Sequence, residues 1–162
     1  MESLLDHMVV TSGIALIVVS LCVVTFYSVL SRVGILLLRF EGFPRLQIFI
    51  TIIGSLIAHI LCIWLFAIAY YVMDHGLNIG DLAGQDSQSL IAFLHFSSAT
   101  YSSVGWGDLY PAGASRMLAG LEAVVGLMLI GWSVAYTYFV VDKYLLHHRT
   151  RHLKRLEKQH DR

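Results

Sequence analysis

The chain has 162 residues, 57% hydrophobic and only 14% charged, far from the soluble-domain balance of roughly half apolar and a quarter charged. That balance excludes an ordinary soluble domain and places the chain in a lipid bilayer. A net charge of zero removes any general case for nucleic-acid binding, and only two prolines with 13 glycines argue against disorder.

Met1 to Met8 carries Glu2 and Asp6 without Lys or Arg, so the basic stretch of a secretory signal is missing and the first apolar segment is expected to be retained. Three segments can cross a hydrocarbon core of roughly 30 Å, which takes about 20 apolar residues in a helix. The first is Met8 to Leu30; it lacks the arginine at every third position of a voltage sensor and is expected as a peripheral helix. Gly34 to Phe40 is apolar but flanked by arginines, and Gly42, Phe43 and Pro44 break the helix, predicting an interfacial elbow that closes a first unit, residues 1–47. The second span is Ile48 to Met73, with His59 midway, read as a satisfied core histidine ahead of a proton sensor. Ser89 to Tyr101 is too short to span and rich in Ser and Thr, so it is expected to enter and return as a half-helix. Met117 to Val141 is the third span, and residues 142–162 form a basic tail. Cys22 and Cys62 fall inside apolar runs where nothing suggests a partner thiol, a metal motif or a disulfide; they read as small buried hydrophobes.

Orientation follows from Lys and Arg, which resist translocation. The link from Ser31 to Gln47 and the tail after Val141 hold nearly all of them, whereas Glu2, Asp6, Asp74, Asp81, Asp86 and Asp108 occupy the other side with Arg116 as its one basic residue. Three crossings then put the N-terminus outside and the C-terminus in the cytoplasm of a multi-pass protein of the cell membrane.

The chemistry concentrates between the half-helix and the last span, in Ser102-Ser103-Val104-Gly105-Trp106-Gly107-Asp108. Irregular backbone at membrane depth leaves N–H and C=O groups unpaired, at several kcal/mol each, unless protein, water or an ion satisfies them. Carbonyls from several chains aimed at one axis can replace the hydration shell of a monovalent cation, and Gly105 and Gly107 give the backbone the freedom this needs. Ser103 offers a hydroxyl for an innermost ring, while Val104 and Trp106 are expected to wedge the loop against the half-helix. The C-terminal end of that half-helix, the negative end of its dipole, would face the cation.

The stretch resembles the Thr-Val-Gly-Tyr-Gly-Asp filter signature of tetrameric potassium channels, and Leu109-Tyr110-Pro111 with Gly126 in the last span is similar to prokaryotic two-helix members. The resemblance runs from Gln88 to Val141. It implies an all-α membrane protein: three transmembrane helices, a re-entrant pore helix and a filter loop, four chains making one pore. The pore domain would be residues 48–141, with an outer helix 48–73, pore helix 89–101, filter 102–108 and inner helix 117–141. By position, Ser103, Val104, Gly105, Trp106 and Gly107 would form the filter, potassium binding at Ser103 to Trp106, with Thr100, Ser102, Asp108 and Glu122 in support and Gly126 as a possible hinge. Potassium would be the permeant ion; no cofactor, small-molecule substrate or nucleic acid is implied.

Three positions depart from the signature: Ser at 103 for Thr, Trp at 106 for Tyr or Phe, and Ala99 where many members carry an acid behind the filter. They keep a weakly selective cation channel open as an alternative, beside a non-conducting scaffold or accessory subunit. Without an acid at 99, Asp108 is expected to bond Trp106 of a neighbouring loop. Glu122 is expected to accept from Ser97, Ser98 or Tyr101, or to be a merely structural protonated acid. Gly120, Gly126 and Gly131 permit bending or close packing. His147, His148, His152 and His160 in the tail suggest opening by intracellular acid as one reading, a solvated basic tail against lipid being the other. No nucleophile with its base, metal cluster or phosphate loop supports an enzyme.

Overall fold

The computed structural model describes residues 2–40, 42–84 and 89–160, with side chains over 7–40, 42–84 and 89–143. Expectations on Glu2, Asp6, Gln88 and Asp86, and on the side chains of the tail histidines and leucines, lie outside the described residues.

Three helices are long and apolar enough to cross a membrane, giving an all-α membrane fold with a small two-stranded ribbon at one end. Helix α1, Glu2–Leu38, is 37 residues long, so the apolar stretch after Gly34 extends it and does not form a separate elbow. The reversal is tight: the N–H groups of Arg39 and Phe40 bond the Leu36 and Leu37 carbonyls, and that of Phe43 bonds Phe40. Gln47 Nε2 then donates to the Leu37 carbonyl at 2.9 Å, satisfying one of the acceptors a helix end leaves open. Pro44 starts α2, Pro44–Tyr71, where its missing N–H costs nothing.

Thr11, Ala15, Val18, Cys22, Phe26, Leu30, Val33 and Leu37 are buried, a stripe at helical spacing that faces α2 and α4, while Val9, Leu16, Ile17, Val24 and Ile35 on the far side are exposed. Both faces are apolar, so association here comes from van der Waals fit between helices and not from leaving water. The fit also brings the two cysteines near each other, unbridged and buried as the small hydrophobes expected. Cys22 Sγ lies 3.8 Å from the Cys62 carbonyl and Cys62 Sγ lies 3.6 Å from the Cys22 carbonyl, both thiols fully buried.

After Tyr71 the chain widens into a π turn, Val72–Gly76, and leads into β1, Gly80–Gly84. This strand pairs antiparallel with β2, Leu109–Gly113, Gly80 opposite Gly113 and Gly84 opposite Leu109. The ribbon joins the segment after the second span to the segment after the 102–108 loop. Helix α3, Leu90–Tyr101, starts where Ser89 Oγ accepts from the Ala92 N–H at 3.2 Å. It packs between α2 and α4 through Phe93, Phe96, Ser97, Ala99 and Tyr101, all buried. Helix α4, Ser115–His160, runs unbroken for 46 residues, so the third span continues into the tail with no interruption.

Candidate functional site

The C-terminal end of α3 sets the loop in place. Ser102 caps it, its hydroxyl donating to the Ser98 carbonyl at 2.7 Å. The Ser103 N–H bonds the Thr100 carbonyl at 2.9 Å, and the N–H groups of Val104 and Gly105 both bond the Ala99 carbonyl, at 2.9 and 3.2 Å. Thr100 thus serves through its backbone. These bonds turn the chain back on itself as it leaves the helix.

Beyond that turn the backbone alternates in hand. Ser103, Gly105 and Gly107 have φ of +57°, +57° and +81°, while no positive φ occurs at Val104 or Trp106. Ser103 holds a conformation that costs an L-residue about 1–2 kcal/mol, whereas the glycines hold theirs freely. Alternation of hand of this kind suits a row of carbonyls that must face one way to replace a cation's water.

Every residue from Ser102 to Asp108 is exposed in the single chain, with Val104 58% and Trp106 71% accessible. Within the single chain these two side chains are exposed and not wedged against α3, whose Ala99 and Tyr101 are buried.

Asp108 at the far end of the loop is held within the chain, by His95 Nε2 at 3.0 Å from Oδ2, a brace other than the neighbouring Trp106 that the sequence suggested. Slight desolvation raises the Asp108 carboxyl, but the His95 hydrogen bond, the N–H groups of Leu109 and of Asp108 itself, and the charge of His95 outweigh it and leave the group below its ordinary range. Sequence reasoning passed over His95, although it is the one imidazole in the half-helix.

Glu122 is fully buried, between α3 and α2. Ser97 Oγ lies 2.5 Å from its Oε1 and Tyr70 donates from its hydroxyl to Oε2 at 2.7 Å. Of the three donors expected, Ser97 is present, Ser98 donates to the His95 carbonyl instead, and Tyr101 bonds His59. Tyr70 was not foreseen, because nothing in a uniformly apolar span tells which side it turns inward. Gly126 lies under the end of α3: a Cβ there would collide with the Tyr101 carbonyl oxygen. Close approach explains this glycine, and α4 continues through it as helix.

A family model described as "Ion channel" matches residues 58–141, just over half of the chain, including α3, the 102–108 loop, Glu122 and Gly126. Comparison with curated proteins and with solved structures gave no match.

Proposed function

The chain belongs to the ion-channel family, and from that membership we propose that four copies assemble around one axis and pass potassium down its gradient between their 102–108 loops. The observation that carries this reading is the alternation of hand at Ser103, Gly105 and Gly107 in a loop left bare by its own chain. Four such loops would surround an ion with carbonyl oxygens in successive rings, replacing its water. Val104 and Trp106 would then be covered by the neighbouring subunits. Helix α3 would act as the pore helix and α4 as the inner helix, while α1 stays outside the conducting unit.

Potassium selectivity is drawn from the likeness of Ser103 to Gly107 to the potassium-channel signature. Ser103 keeps the hydroxyl of the usual Thr but lacks the methyl that restricts its rotamer, which favours a second reading, a cation channel of weaker selectivity. The arginines of residues 32–45 and the basic tail support a cytoplasmic C-terminus and an external N-terminus in the cell membrane.

Reversal potentials of reconstituted protein under opposed potassium and sodium gradients test both readings. A value that follows the potassium gradient supports the first; one midway between the two gradients supports the second; absence of any current overturns both. Gly105→Ala forces a side chain onto a left-handed residue facing the axis and should abolish flux with assembly retained, and undiminished current in that variant would remove the loop from the ion's path.

A further inference from the structure

His59 is half-buried on α2 and takes no part in the loop, yet it touches every other helix. Its Nδ1 is 2.9 Å from the Tyr101 hydroxyl on α3 and its Nε2 is 3.1 Å from the Ser133 hydroxyl on α4. The Phe26 ring of α1 packs on the imidazole with centroids 5.0 Å apart and reaches Trp132 of α4 at 5.9 Å.

Proton accounting gives this chain of groups a direction. Ser133 Oγ donates its single proton to the Ile130 carbonyl at 2.8 Å, so towards His59 it accepts. With the Ser133 proton on the Ile130 carbonyl, Nε2 carries the ring proton, which leaves a lone pair on Nδ1 for the Tyr101 hydroxyl. Tyr101 to His59 to Ser133 to Ile130 satisfies every member with the imidazole neutral. A doubly protonated ring would set an N–H against Tyr101 and turn that hydroxyl away.

Tyr101 is the last residue of α3, and its backbone rests on Gly126. Its side chain is held by His59, and the next residues begin the loop. Ser133 sits two turns further along α4 than Gly126.

We propose that neutral, Nε2-protonated His59 is a positioning residue that couples the base of the 102–108 loop to the Ile130–Ser133 turn of α4, so that displacement of α4 below Gly126 is carried into the loop. The proposal rests on the conducting role given to that loop. It concerns how the loop is held and moved, not which groups touch the ion.

Two substitutions separate coupling from bulk. His59→Gln offers an amide oxygen to Tyr101 and an N–H to Ser133, whereas His59→Leu fills space and offers neither. In liposomes holding the full-length protein, H59Q should keep open fraction and potassium-to-sodium permeability ratio within about twofold of the unsubstituted protein; H59L should change at least one of them by roughly three- to tenfold, the worth of about one hydrogen bond. Tyr101→Phe should reproduce H59L. Equal behaviour of H59L and the unsubstituted protein overturns the coupling, as does an H59Q no better than H59L. Nitrogen-15 NMR of the unsubstituted protein in bilayers reads the ring without any current: Nε2 protonated and Nδ1 bare is expected, and the opposite tautomer overturns the relay even in a conducting channel. Liposomes silent with the unsubstituted protein overturn the conducting role, and the coupling with it, while leaving the NMR result intact.

Discussion

Asp108 at the end of the loop and Glu122 against α3 are both carboxyl groups, and their surroundings make them different devices. Asp108 is exposed and held by His95, with its carboxyl below the ordinary range. A group whose folded value is lowered adds stability above its unfolded value and loses it as pH falls through the folded one. His95→Ala should therefore lower the unfolding temperature at neutral pH, with the gap closing as pH drops below the carboxylate range; thermal unfolding followed from neutrality into acid reads this directly. Because the pair faces water, the gap should also shrink in high salt. Glu122 is sealed from water, so its partners matter through hydrogen bonding. Tyr70→Phe leaves Oε2 without its donor, a change that should cost about 1–3 kcal/mol, and thermal unfolding at neutral pH measures it.

Between elements, shape decides. A Cβ on Gly54 of α2 would collide with Val33 Cγ2 on α1, a notch that receives a knob. Gly54→Ala should cost roughly 1–3 kcal/mol by overpacking, and adding Val33→Ala should recover most of it, a non-additivity that a double-mutant cycle on unfolding free energy would report. The existence of the spans was legible in the sequence, because the runs from Met8, Ile48 and Met117 are long and predominantly apolar. Their facing was not: with lipid on one side and protein on the other, both faces are apolar, and no periodicity tells Cys22 to meet Cys62 or Tyr70 to turn to Glu122. The ribbon was also invisible, since Gly80-Asp81-Leu82-Ala83-Gly84 and Leu109-Tyr110-Pro111-Ala112-Gly113 carry no β-branched residue and no alternation. Local chemistry was the readable part of the loop: its glycines stood out in the sequence, and the left-handed positions fall on them and on Ser103.

For the molecule as a whole, the least covered span is the one that the proposed reading places innermost. Only 11% of the most apolar window of α4 is buried within the chain, against 28% for each of α1 and α2. Val124, Leu127, Met128, Val134 and Phe139 stand exposed along it, as Val104 and Trp106 do in the loop. A surface of this kind fits association with further copies of the chain. Chemical cross-linking in native membranes should give a ladder that stops at four, and one stopping at two would contradict the proposed assembly. The ribbon has a mechanical corollary. The 102–108 segment hangs between two abutments, Tyr101 seated on Gly126 at one end and Leu109 paired with Gly84 at the other. A bridge pinned at both ends cannot lengthen or swing aside. It can rearrange only by flipping single peptide planes within a fixed length, so changes in it should arrive as discrete steps, not as gradual widening.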